Sequence, residues 1–270
     1  MMSGEFLREI DWTRPWLAPL AATGDLLVRA ADWRAELNAL AEAKDLHNHR
    51  GLRVRFVPQA DLPPDTAYEA FISQTGCVPT RDNLHDFFNA LVWLSFPHIK
   101  IRLNALQAAG IADMDGVGPI RGRLRDAATI FDENVALLVT RDVLLLEDLR
   151  AHRWQELFIS RRNAFGSDCE VCLFGHALME KLVHPYKAIT AHAYPVIVES
   201  SYFAMPLSDK HAWLDQTISR KLSDKLTTAD FTPLPVLGIP GWCEDQGEAF
   251  YADSTVFRPG RVGREGRESV

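Results

Sequence analysis

Long apolar runs are missing from this chain of 270 residues. No stretch approaches the roughly 20 apolar side chains that a membrane-spanning helix needs. The start, "MMSGEFLREIDW", carries acidic residues and no apolar run of signal-peptide length. The expected location is the cytoplasm, with no membrane partner. A surplus of basic charge is missing as well: 29 Lys and Arg stand against 36 Asp and Glu, a formal charge of -7. Nucleic acid is held mainly by excess Lys and Arg, so it is not an expected partner. Cysteine is scarce, and four residues are too few for a disulfide framework in a chain of this size. Cys169 and Cys172 form one C-x-x-C, but no second pair or His pair stands at zinc-finger spacing. An apolar run, "CEVCLF", follows where a redox motif would open a helix, so both read as ordinary thiols. Signature motifs are absent too. There is no G-x-S-x-G, Walker A run or H-E-x-x-H, and "GVGPIRG" has the wrong spacing for G-x-G-x-x-G. Standard esterase, nucleotide-hydrolase, zinc-protease and dinucleotide-binding readings lose their support.

What is present is a 47% hydrophobic content, ample for a buried core. Residues 25–46 space Leu26, Leu27, Ala30, Trp33, Leu37, Leu40 and Ala41 as one amphipathic helix. "GLRVRFVPQADLPP" alternates as a short strand before two prolines stop it, and "DTAYEAFISQTG" reads as a short helix ended by Gly76. Residues 82–96 are helical, and the helix resumes after a break or kink at Pro97. "DMDGVGPIRGR" reads as a loop, and "DAATIFDENVALLVT" as a hairpin turning at "DEN". "SDCEVCLFG" is a strand entering the helix "HALMEKLVH", "YPVIVESSYFAMP" is extended, "DKHAWLDQTISRKLSDKL" is helical and "FTPLPVLGIPGW" is a loop. The expected architecture is α+β: a helix-dominated single globular domain over 1–258 with a few short strands, then a disordered basic tail over 259–270.

Two helices carry polar stripes on otherwise apolar surfaces. At 100° per residue, Asp82, His85, Asp86 and Asn89 share one face of the helix 82–96, while Leu84, Phe87, Phe88, Leu91, Val92 and Leu94 cover the rest. In "GHALMEKLVH", His176 and Glu180 stand one turn apart, with His184 near the same side. A His and a carboxylate in apolar surroundings can hold a metal or move a proton. Ordinary capping by Asp82 or Thr80 and a solvated His–Glu pair would explain the same residues without function. A third candidate is the alternation Arg121, Arg123, Arg125, which can clamp an anionic group or form a solvated charged face.

The segments "IDWTRPWLAPL", "AYEAFISQTGCVPTRDNLHDFFNALVWLSFP", "RGRLRDAATIFDEN", "LFGHALMEKLVHPYKAITAHA" and "PLPVLGIPGW" together resemble an uncharacterised proteobacterial family, the domain of unknown function number 3025. The resemblance covers roughly residues 10 to 258. It implies a cytoplasmic bacterial single-domain protein and transfers no catalytic residues. Where that family's pattern has "DENG" this chain has "DENV", and Val135 lacks the freedom of a glycine in a left-handed turn, which counts against the hairpin.

Two function classes follow. The first is a hydrolase, metal-dependent through a divalent cation such as zinc. His85, Asp86, His176 and Glu180 would be its ligands, and His85, Asp86, Asn89 and Glu180 its catalytic groups. Arg121, Arg123 and Arg125 would hold a small-molecule ligand. The second is a non-catalytic binding or scaffold protein whose buried polar stripes are structural networks. The first requires the two stripes to face each other across a cavity. The second predicts interlocked side chains with no open cavity.

Overall fold

The computed structural model describes residues 5–112 and 119–260. After short 3₁₀ turns at Glu5–Glu9 and Ala18–Leu20, helices α1 (Ala21–Arg29) and α2 (Trp33–Ala43) contribute Leu27, Trp33, Leu37 and Ala41 to the core. They replace the single helix expected over 25–46. Ala30 is extended, and the Asp32 carboxylate accepts bonds from the backbone N–H groups of Arg34 and Ala35, starting a new helix. This turn leaves Leu26 exposed rather than core-facing.

Strand β1 (Arg55–Pro58) then pairs in parallel with β2 (Cys77–Thr80), and α3 (Tyr68–Thr75) connects them. Gly76 ends α3 at φ 74°, where an added Cβ would meet the Arg53 carbonyl at 2.3 Å. Helix α4 (Leu84–Ser95) is buried nearly all round, with Phe87, Phe88, Leu91 and Val92 at 0% exposure. Its cap is Asn83, which accepts from the Asp86 N–H, and not Asp82 or Thr80. Asp82 instead accepts from the Trp33 indole and from Arg34.

Helix α5 (Pro97–Ala112) starts at the expected proline break, and α6 (Pro119–Asn134) leads directly into β3 (Val135–Thr140). Two expectations are corrected here. Of the stretch read as a loop, residues 113–118 lie outside the described residues, and Pro119 opens α6, where a missing N–H costs nothing. The hairpin at "DEN" is the last turn of α6 followed by a strand. Ala127, Ala128 and Phe131 are fully buried at helical spacing, and that burial outweighs the turn propensity of three polar residues.

The remaining elements are α7 (Val143–Arg150), one π turn at Glu156–Ser160, β4 (Cys169–Leu173), α8 (His176–Lys181), β5 (Thr190–Ile197), α9 (Leu207–Lys221), β6 (Thr232–Pro235) and α10 (Glu248–Tyr251). The main sheet runs β4-β3-β5-β6, with β3 parallel to β5 and the outer pairs antiparallel. All six residues of β3 are buried, as a central strand requires. β6 falls inside the segment read as loop; Pro233 and Pro235 are tolerated because it is an edge strand. The result is an α+β fold dominated by helices, with short strands in two small sheets. No helix among the described residues is long and apolar enough to cross a membrane. Of the expected tail, residues 261–270 lie outside the described residues.

Candidate metal centre

Five helices converge on one cavity of about 400 Å³. α4 supplies His85, Asp86 and Asn89, the last turn of α6 supplies Asp132 and Glu133, α8 opens with His176, α3 brings Tyr68 and Glu69, and α5 lays Lys100 beneath them. The close approach of α8 to the α6–β3 junction depends on Gly175. A Cβ there would stand 2.6 Å from the Asn134 backbone and from the Val135 nitrogen. Without that side chain, His176 packs against the end of α6, beside Asp132 and Glu133.

The two polar stripes do face each other. His85 Nε2 lies 3.2 Å from His176 Nε2, and His85 Nδ1 lies 3.0 Å from Glu180 Oε2. His176 Nε2 is also 3.5 Å from Glu133 Oε2. One donor atom from each of His85, Glu133 and His176 falls within 4.8 Å of the others. Behind this cluster, the Lys100 ammonium donates to Asp132 at 2.6 Å and to Asn89 at 2.8 Å, while Asn89 donates to the Tyr68 hydroxyl at 3.1 Å. His176 Nδ1 is buried with no hydrogen-bond partner among the described residues; Asp132 Oδ1 stands 3.9 Å away.

Burial sets the protonation of these groups. It lowers His176 to about 4, against the opposing pull of Asp132, so the imidazole is neutral at physiological pH. Burial and the neighbouring Asp132 raise Glu133 above the usual carboxylate range. Burial also raises Glu69 to about 7, although Lys100 pulls the other way. For Asp132 the sign reverses: burial pushes upward, but Lys100 and His176 outweigh it, and the carboxyl stays below its ordinary value. His176 is therefore already in the neutral state that a cation requires, whereas the raised Glu133 would have to release its proton on binding one.

The profile of the family described as "Protein of unknown function (DUF3025)" matches residues 54–261. The chain belongs to the DUF3025 family. No curated protein and no solved structure matches it. All the residues of the cluster and the cavity lie inside the DUF3025 match.

Within this DUF3025 chain, the residues singled out from sequence divide cleanly. His85, His176, Glu180 and Asn89 meet at the cavity or directly behind it. Glu180 approaches the Nδ1 side of His85 rather than the Nε2 side that faces His176. Asp86 also lines the cavity, yet both its oxygens are taken by Arg81, at 3.0 Å from Nε and 3.1 Å from Nη2. His184 is exposed and pairs with Glu9. Arg123 and Arg125 are exposed on α6 and do not line the cavity, while the Arg121 side chain lies outside the description. Cys169 and Cys172 sit three apart on β4, so they point to opposite faces, and burial pushes both thiols up to about 12. Sequence reasoning missed Glu133, Asp132, Lys100 and Glu69. Reading "DEN" as a turn hid the first two. The only signal for the others was a charged residue set among apolar helix positions, Lys100 between Ile99 and Ile101 and Glu69 between Tyr68 and Phe71.

Proposed function

We propose that this protein is a cytoplasmic, metal-dependent hydrolase of small molecules, with a divalent cation such as zinc held by His85 Nε2, His176 Nε2 and the Glu133 carboxylate. The observation that carries this reading is the spacing. Two nitrogens each about 2.05 Å from one tetrahedral zinc stand roughly 3.3 Å apart. The His85 and His176 Nε2 atoms are 3.2 Å apart, and Glu133 Oε2 is 3.5 Å from His176 Nε2. Two histidines and a glutamate with a fourth position open to water is the donor set of a catalytic zinc. Glu180 on His85 Nδ1 supplies the outer carboxylate that fixes the ring and leaves Nε2 free to bind. His176 Nδ1 stands 3.9 Å from Asp132 Oδ1, outside hydrogen-bond range, so the outer carboxylate that fixes His85 has no bonded equivalent on His176 among the described residues. The cation would polarise the scissile carbonyl and acidify a bound water. Arg81 lines the cavity with its Nε and Nη2 bonded to Asp86.

A second reading, a non-catalytic scaffold, draws on the interlocked chain from Lys100 through Asp132 and Asn89 to Tyr68. The open cavity speaks against it. Elemental analysis of untagged protein, beside a folded His85→Ala, His176→Ala variant and a Glu133→Gln variant, separates the two. One equivalent of zinc in the wild type and none in the double variant is expected. A wild type that takes up no divalent metal from zinc-containing buffer would leave the scaffold reading in its place.

A further inference from the structure

Glu69 stands apart from the other carboxylates of the cavity. Asp86 is held by Arg81, Asp132 by Lys100, and Glu133 faces His176. Glu69, in the first turn of α3, is positioned instead by a neutral amide. Asn104 Nδ2 donates to the Glu69 carbonyl at 2.9 Å and to its Oε2 at 2.7 Å. Asn104 lies one turn beyond Lys100 on α5, so one helix face fixes both the buried cation and this acid. Among the described residues no donor reaches the second carboxylate oxygen of Glu69, and the residue lines the cavity together with His85, Glu133 and His176.

We propose that Glu69 is the general base of the site, accepting the proton of a water activated at the His85–Glu133–His176 cation to hydrolyse an amide or ester. The proposal rests on the metal reading above. Two histidines and a glutamate are the ligand set of single-zinc enzymes that cleave amide bonds, which points to an acyl substrate. The water oxygen forms a bond to the carbonyl carbon and the bond to the leaving group breaks, its electron pair staying with that group. The proton taken by Glu69 then passes to the leaving group. No oxidant or reductant takes part. The cavity that Glu69 lines also holds His85 and Asp86 of α4, Asp132 and Glu133 of α6 and His176 of α8, and the charges acting on Glu69 are Lys100 of α5, Asp132 and Glu133. Burial places its proton affinity near neutrality, about 7, where a carboxylate both takes up and returns a proton.

The test uses cobalt(II) as the probe and needs no substrate. The visible spectrum of full-length protein loaded with one equivalent of Co(II) is followed against pH, for the wild type, Glu69→Gln and Glu69→Asp. Water and carboxylate share protons, so the wild type should titrate in two coupled steps. Glu69→Gln, which keeps an acceptor for Asn104, should bind cobalt with unchanged stoichiometry and titrate in one step. Glu69→Asp, which keeps the charge, should retain two steps at displaced pH and stands in if the Gln variant does not fold. Identical titration curves in all three proteins would overturn the role of Glu69 and leave the metal site intact. Failure of the folded wild type to bind cobalt would remove the metal reading and this proposal with it.

Discussion

Lys100 shows what a single buried charge demands. Its ammonium is 4% exposed, lies 2.6 Å from Asp132, and sits 5.4 Å from the centroid of the Trp93 ring. Asp132→Asn would leave that cation without its counter-charge, and we expect a loss of about 3–5 kcal/mol in urea unfolding. Glu69 gives the opposite pH signature to an ordinary ion-paired carboxylate. Its usual value is 4.5 and its folded value about 7, so between them the folded chain holds a proton that the unfolded chain has released. That contribution is complete below 4.5 and is lost as pH rises through 7. In metal-free protein, Glu69→Gln should therefore gain stability relative to wild type between pH 5 and pH 8, on the order of 2–3 kcal/mol. A difference between the two proteins that stays constant from pH 5 to pH 8 in urea midpoints would contradict this.

At the scale of elements, the site exists because α8 starts where α6 ends. Gly175 permits that contact, and the three atoms nearest an added Cβ are all backbone, which cannot rotate away. Gly175→Ala is expected to cost about 1–3 kcal/mol and, under the metal proposal, to weaken zinc binding by displacing His176. Isothermal titration with zinc and a urea curve on the same preparation would check both parts. A different device protects β1, whose free edge is bonded by one side chain. Asn38 of α2 accepts from the Phe56 N–H at 2.8 Å and donates to the Phe56 carbonyl at 2.9 Å, as a neighbouring strand would. Asn38→Ala leaves both groups of Phe56 without these partners, and a destabilisation of about 1–3 kcal/mol should appear in thermal unfolding.

For the whole molecule, the family match begins at residue 54, yet the core does not. Leu17, Leu27 and Leu37 are fully buried, the Trp33 and Phe87 rings lie 5.6 Å apart, and the Trp16 indole donates to the Leu182 carbonyl just after α8. Deleting residues 1–53 would uncover α4 and the open edge of β1. The truncated protein should lose cooperative unfolding and near-ultraviolet circular dichroism, whereas a truncation outside the fold would retain both.

The sequence by itself determined the balance of helix and strand, the buried character of α4, the break at Pro97, the Gly76 stop and the two polar stripes. Each of these is a local pattern: a period of 3.6, a missing N–H, a left-handed residue, or polar side chains on one helical face. It also pointed to His85, His176, Asn89 and Glu180 as residues that share surroundings. Only the tertiary structure decided that the stripes face one another, that Glu133 rather than Asp86 stands beside the two imidazoles, that Glu69 lines the same cavity, and that Lys100 is buried behind it on Asp132 and Asn89. Those outcomes depend on contacts between positions far apart in the chain and on the close approach at Gly175. They also depend on burial that helical periodicity can suggest but cannot orient. "DEN" carried turn propensity by its residues alone; the buried face of Ala127, Ala128 and Phe131 made it the end of a helix and put Asp132 against Lys100 and Glu133 beside His176.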